Sequence, residues 1–137
     1  MAEQNYIDDS SIADVAVLWR RIPPWHFVLD ENIGRFRPSS AAFENHPNGS
    51  PMSVVLADEV AASGRSPQDV LAGHARFALA AFTAGLARQC QQGVMREPLL
   101  EEPAHAVVFG EKRKRIRQLL AKSATWEVPP GDEPGNA

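Results

Sequence analysis

The sequence has little cysteine and no long apolar run, and each shortage excludes a class of protein. Its single cysteine, Cys90, cannot form a disulfide within the chain. No apolar run approaches the roughly 20 residues that span a bilayer. The N-terminus is acidic and polar and has none of the features of a secretory signal. We therefore expect a cytoplasmic, reducing compartment and no membrane partner.

Phosphate-binding glycine motifs and metal-ligand clusters are also missing. The glycines are scattered, so there is neither a G-x-x-x-x-G-K-[ST] loop nor a G-x-G-x-x-G turn. A metal site needs three or four convergent ligands at short spacing, and His46 and His74 have no such neighbours. The sequence therefore predicts no metal and no resident cofactor.

The composition is that of an ordinary globular domain. The 137 residues are 44% apolar and 23% charged, enough to form one core without disulfides. The net charge of −3 is unevenly distributed: residues 1–14 carry only acidic charges, and residues 112–122 only basic ones. This segregation says more about binding partners than the net charge does.

Hydrophobic periodicity predicts an α+β fold, a small single domain with a mixed sheet of short strands and two or three helices. The strands are predicted near residues 15–20, 25–30, 52–56 and 105–109, the first of them ended by Pro23-Pro24. An amphipathic helix is predicted over 111–122, with Ile116, Leu119 and Leu120 on its apolar stripe and Trp126 packing just after it.

The predicted domain is flanked by two tails. We predict a mobile acidic tail over residues 1–11, the α+β domain over 12–128 and a disordered tail over 129–137. Residues 31–51 are rich in turn formers, and Asn48-Gly49 is the clearest turn signal among them.

Residues 67–92 allow two interpretations. Ser66-Pro67 is typical of a helix start, and apolar residues then recur at three- and four-residue steps as in one long helix. However, Phe77, Leu79 and Ala81 also alternate as in a strand, and Thr83 is a good N-cap for a new helix. The pattern alone leaves both open.

Five short motifs resemble those of a set of small bacterial single-domain proteins. They are WRRI (19–22), RPSSAAF (37–43), SVVLA (53–57), PAHAVVFG (103–110) and LLAKSATW (119–126). The resemblance covers roughly residues 15–130 and brings no catalytic residue with it. In those proteins the segment that matches 76–90 is a strand followed by a helix, which favours the second interpretation of residues 67–92.

A fainter similarity is to the RES-type ADP-ribosyltransferase-like toxins. It involves Arg20 or Arg21 on an early strand, GRF (34–36), Glu59 after an apolar strand, and Ser123. The resemblance implies an NAD-cleaving or ADP-ribosyl-transferring enzyme, with NAD as the molecule bound.

Two groups of residues suit a small-molecule site. Arginine grips diphosphates or carboxylates, and paired serines donate to a ribose or phosphate, which makes Arg20, Arg21, Ser39 and Ser40 candidates. The alternative is that Ser39 and Ser40 cap a short helix. His105 has the chemistry of a general base, but the sequence shows no partner for it and favours a histidine at a strand end, bonded to backbone.

The basic segment is the most distinctive feature of the sequence. Its candidate partner-binding residues are Lys112, Arg113, Lys114, Arg115, Arg117 and Lys122. Such a cluster docks on phosphates or on acidic protein surfaces, but the sequence favours the solvated side of a surface helix, or one that pairs with acidic neighbours. No aromatic residue is interleaved with it, which disfavours nucleic acid.

The sequence therefore predicts a non-catalytic binding or accessory module whose protein partner contacts the basic segment. Its setting, a bacterial conflict or defence-type system, is implied by the resemblance alone. The alternatives are the NAD-cleaving enzyme and nucleic-acid binding through residues 111–122. The identity of the partner and the oligomeric state stay open.

Overall fold

The computed structural model describes residues 5–131 and confirms a single α+β domain. Its eight strands are β1 (Val17–Ile22), β2 (Phe27–Asp30), β3 (Arg35–Pro38), β4 (Met52–Leu56), β5 (Ala78–Thr83), β6 (Gly93–Arg96), β7 (His105–Phe109) and β8 (Thr125–Val128). Six of them form one sheet in the order β6-β7-β4-β1-β5-β8, and β2 and β3 form a separate hairpin. Every described strand pair is antiparallel. The sequence predicted a mixed sheet, and the described sheet is purely antiparallel.

The helices are short, and there are four rather than two or three in the described chain. They are α1 (Ala57–Ala62), α2 (Pro67–Val70), α3 (Ala84–Gln89) and α4 (Lys114–Ser123), with 3-10 turns at Pro24–His26 and Ser40–Phe43. Within residues 5–131, no helix has the length and apolarity to cross a membrane.

The structure resolves residues 67–92 into a helical turn, a strand and a helix. Ser66 and Asp69 exchange the two hydrogen bonds of a capping box, which starts α2. Thr83 then caps α3, because its hydroxyl accepts the Leu86 N–H at 3.1 Å. Six register pairs with β1 hold the intervening strand, so sheet pairing overrides the helical spacing of the apolar residues.

The basic helix differs from its prediction at its start and on its apolar face. It begins at Lys114, with Arg113 as N-cap, and not at residue 111. Ile116, Leu120 and Ala121 pack on the core, whereas Leu119 is 39% exposed. The sequence places Leu119 and Leu120 on one stripe, but the core-facing side of the helix runs through Ile116, Leu120 and Ala121. Successive residues are about 100° apart around a helix, so Leu119 lies at the edge of that side.

The core occupies both faces of the sheet because consecutive strand residues point to opposite sides. The larger cluster includes Leu18, Phe43 and Leu120 and lies beneath α3, α4 and the 3-10 turn at Ser40–Phe43. The smaller one includes Trp19 and Val55 and is covered by α1 and α2. Trp126 lies in β8 and donates its indole N–H to Phe36 O at 3.1 Å, so it packs on the core just after α4 as predicted.

The acidic N-terminal segment lies against the outer edge of β6. Asp9 N donates to Val94 O at 2.8 Å, and Val94 N donates to the Asp8 carboxylate at 2.9 Å. Arg88 and Arg96 bind the acidic side chains of this segment. The mobility of residues 1–11 stays a prediction, and the predicted disordered tail lies mostly outside the described residues.

Candidate functional site

A cavity of about 280 Å³ opens on the sheet face that carries the smaller core cluster. Its walls come from β1, β4, the first residue of β7, the segment 99–102 and the residues around α2. The polar residues that line it are Trp19, Arg20, Arg21, Ser53, His74, Glu101, Glu102 and His105. We call it the arginine cavity. Because consecutive residues of β1 point to opposite faces, the Arg20 side chain points away from Trp19 and Arg21, toward Ala42.

Strand register brings these residues together. Trp19 of β1 is paired with Val55 of β4, and Val55 is paired with His105 of β7, so the three residues form a row across the sheet. Ser53 lies two residues before Val55 and therefore shares its face. The cavity thus combines residues from three strands that are distant in the sequence.

A chain of hydrogen bonds joins Ser53 to His105. The Oγ of Ser53 lies 3.0 Å from Nε2 of His105, and Nδ1 of His105 lies 2.7 Å from the carbonyl oxygen of Glu97. Because a carbonyl only accepts, Nδ1 carries the proton and Nε2 is left to accept from the serine hydroxyl. His46 Nε2 lies 3.3 Å from the same Oγ and completes the chain on its other side.

The Arg20 guanidinium lies deep in the structure and is bound to main-chain oxygens. Its Nε donates to Ala42 O at 3.1 Å and its Nη1 to Ser53 O at 2.8 Å. Burial, with a smaller contribution from the charge of Arg21, lowers the pKa of Arg20 to about 10. Within the described chain no carboxylate pairs with Arg20, so its charge is compensated only by carbonyl dipoles.

Arg21 adds a donor to the same cavity. Arg21 Nε donates to Val70 O at 2.7 Å, and burial lowers the pKa of Arg21, whereas the nearby Glu102 raises it. Trp19 contributes apolar wall, because its Nε1 is itself buried and has no hydrogen-bond partner among the described residues.

The remaining charged groups of the cavity are arranged around Arg21. Glu102 is buried, accepts two hydrogen bonds from Arg65, and this interaction keeps the pKa of Glu102 below its ordinary value. Burial and the charge of Arg21 lower the pKa of His74, so His74 is neutral at pH 7. Glu102 is therefore bound by Arg65 and also interacts with Arg21.

The structure brings together three of the six predicted catalytic candidates. Arg20, Arg21 and His105 line the arginine cavity. Ser39 precedes the 3-10 turn with its Oγ buried and unpartnered, and Ser40 begins that turn and lines a different cleft of about 680 Å³.

Glu59 and Ser123 also lie outside the arginine cavity. Glu59 lies on α1 and binds Arg96 at 2.7 Å. Ser123 lines a third cleft, with Thr83 and Gln89. The arginine, serine and glutamate implied by the toxin resemblance are thus not assembled at one cavity, and an NAD-cleaving activity stays a prediction.

Two residues of the basic segment are already bound to other groups of the same molecule. Lys112 Nζ donates to Asn45 Oδ1 at 2.6 Å and to Val108 O at 2.8 Å, and burial lowers its pKa to about 8. Arg117 binds Glu44 at 2.8 Å. Exposed basic residues remain at Arg113, Lys114, Arg115 and Lys122. Binding of a protein or a nucleic acid through them stays a prediction.

Ser53, Trp19 and His74 are site residues that the sequence does not reveal. Ser53 is the only polar residue in the run from Met52 to Leu56, and a hydroxyl inside an apolar strand is the signal that could have identified it. Nothing in the sequence pairs it with His105, because the two residues are 52 positions apart.

No metal centre accompanies the cavity. In the region from residue 5 to residue 131, no three His, Cys, Asp or Glu side chains converge as metal ligands. Cys90 is buried, and burial raises the pKa of its thiol, which makes it a poor nucleophile. The polar groups that the structure places near one another at the cavity include Arg21 and the serine–histidine pair.

The chain matches no protein-family model, no curated protein and no solved structure. Its function therefore has to be inferred from the geometry of the arginine cavity.

Proposed function

We propose that this domain binds a small organic anion, a carboxylate or a phosphate ester, in the arginine cavity. The observation that supports this most strongly is Arg21, which lines the cavity and donates from Nε to Val70 O, while its Nη atoms have no hydrogen-bond partner within residues 5–131. A partly buried guanidinium with open donors is stabilised by the charge-assisted hydrogen bonds of a bound anion.

The donor set fits an anion better than a neutral ligand. Guanidinium groups form charge-assisted hydrogen bonds with carboxylate and phosphate oxygens. Arg21 brings such a group to the cavity wall. The neighbouring carboxylate of Glu102 is already bound by Arg65.

The size of the cavity limits the ligand. About 280 Å³ is at the lower end of the range for small-molecule pockets, roughly 300–1,000 Å³. A short carboxylate or a simple phosphate ester fits this volume, whereas a whole dinucleotide does not. The proposal is consistent with a binding module, but it assigns the binding to a pocket and not to the basic segment.

Replacing Arg21 with glutamine is expected to weaken anion binding about tenfold or more. The substitution removes a charge at the cavity, and a hydrogen bond to a charged group contributes about 1.5–3 kcal/mol. Isothermal titration of the full chain with inorganic phosphate and with propionate measures the effect. Arg21 is preferred to Arg20 because it makes one main-chain hydrogen bond, to Val70 O, whereas Arg20 makes two, to Ala42 O and Ser53 O.

Arg113→Gln is the matched control for this titration. It removes the same charge from a side chain that is 78% exposed and far from the cavity wall. Unchanged affinity in the control and a weakened Arg21→Gln variant would support the pocket. Equal weakening in both variants would show non-specific attraction to the protein charge, and absence of saturable binding by the unmodified protein would refute the proposal.

A further inference from the structure

Ser53 and His105 have the geometry of a nucleophile and its general base. The hydroxyl oxygen and Nε2 are 3.0 Å apart, within hydrogen-bond reach, and Ser53 lines the arginine cavity and is open to a ligand there. We infer that Ser53 is a catalytic nucleophile and that the domain hydrolyses small esters that carry a carboxylate or phosphate group. This inference rests on the proposed anion binding.

The main chain fixes the histidine in the productive tautomer. A carbonyl oxygen, that of Glu97, accepts the Nδ1 proton at 2.7 Å, so the lone pair of Nε2 points at Ser53. In a serine–histidine–aspartate triad a carboxylate holds the histidine in this way. The Glu97 carboxylate lies 3.8 Å from Nδ1 and adds a longer electrostatic contact.

A second histidine contacts the same serine oxygen. The Nε2 atom of His46 lies 3.3 Å from Ser53 Oγ, and we assign it as the donor in this hydrogen bond. The Ser53 oxygen then accepts from His46 and directs its own proton to His105. His46 is exposed while His105 is 8% exposed, so the two imidazoles differ in environment. Ser53 therefore has one partner that takes its proton and another that orients it.

The same cavity supplies a cationic donor for the anionic group of the substrate. Arg21 lines the cavity together with Ser53, and its Nη atoms have no partner in the described part of the chain. A carboxylate or phosphate group bound by Arg21 therefore lies in the same cavity as the Ser53 hydroxyl.

The reaction balances without any added cofactor. Ser53 Oγ attacks the ester carbonyl while its proton moves to His105 Nε2. The C–O bond to the leaving alcohol breaks, and the alcohol oxygen takes that proton from His105. Water then attacks the acyl–serine bond, His105 removes a proton from it, and the acid leaves as Ser53 Oγ regains a proton. The net change is ester plus water to acid plus alcohol.

A neutral serine-directed probe tests the nucleophile independently of anion binding. The full chain is treated with an alkyl fluorophosphonate, in which Ser53 Oγ would displace fluoride from phosphorus. We expect one adduct per chain in the intact mass, located at Ser53 by peptide mapping. Ser63→Ala is the control variant, since Ser63 is an exposed serine outside the cavity, and it should be labelled as fast as the unmodified protein.

The adduct is located by peptide mapping of the unmodified protein, so the test does not depend on a Ser53→Ala variant that folds. Labelling of other serines only, or no adduct at all, would overturn the inference. Saturating phosphate or propionate should slow the labelling of Ser53 at least fivefold. Labelling at Ser53 without such protection would support the nucleophile and count against anion binding. Saturable binding of phosphate or propionate without labelling would support anion binding and count against the nucleophile.

Discussion

Replacing His105 with glutamine is expected to slow fluorophosphonate labelling of Ser53 by about two to four orders of magnitude. Glutamine still reaches the hydroxyl but has no basic lone pair for its proton. The neutral imidazole at 3.0 Å, held by the Glu97 carbonyl, is the group that performs this transfer. Labelling rates at pH 7.5 by intact-mass time courses give the ratio.

His46→Gln is the matched variant for this experiment. His46 contacts the same Ser53 oxygen at 3.3 Å, but our assignment makes it a donor and not the base. We expect its loss to slow labelling less than about tenfold, because only orientation is affected. Equal rates in the His105→Gln variant and the unmodified protein, both folded by circular dichroism, would remove His105 from the chemistry.

Leu120→Ala is expected to lower the free energy of unfolding by about 2–5 kcal/mol. Leu120 is fully buried on the side of α4 that packs over Phe43 and the sheet, so truncation leaves a cavity. Urea unfolding followed by tryptophan fluorescence measures the change.

The neighbouring leucine provides the control within the same helix. Leu119→Ala changes the same atoms at a position that is 39% exposed, so we expect a loss below about 1 kcal/mol. Comparable losses at both positions would mean that both leucines face the core, as the sequence pattern indicates. The structure assigns the burial to only one of them.

The elements with their own start and stop signals were predictable from the sequence. Met52–Leu56 and His105–Phe109 are apolar runs bounded by turn residues, and the capping residues Ser66 and Thr83 mark real helix starts. Short strands without such a pattern were missed: β3, β6 and β8 are four residues each and depend on pairing with a neighbour.

The candidate site was only half predictable, because its residues meet through strand register. Arg20, Arg21 and His105 were singled out by residue type, and the structure places all three at one cavity. Ser53 was missed, although the pairing of β4 with β7 brings it to His105. One sequence gives the residue types, but the register that joins positions 52 residues apart is a property of the fold.

The basic segment shows the opposite limitation. Its charge was evident in the sequence, but no sequence pattern indicates that Lys112 is bound by Asn45 and main-chain oxygens. The acidic N-terminal segment binds Arg88 and Arg96, not the basic segment. Charge clusters show where binding can occur, whereas burial decides which charges remain for a partner.

The indole N–H of Trp19 tests the anion cavity most directly. The protein has three tryptophans, and ¹H–¹⁵N spectra resolve their indole signals after assignment by single Trp→Phe variants. Titration with inorganic phosphate should shift the Trp19 signal along a saturating curve, because Trp19 lines the cavity that the anion enters. The indole signal of Trp126, which already donates to Phe36 O, should keep its chemical shift. A fixed Trp19 signal, or three indole signals drifting together in proportion to added salt, would contradict the account.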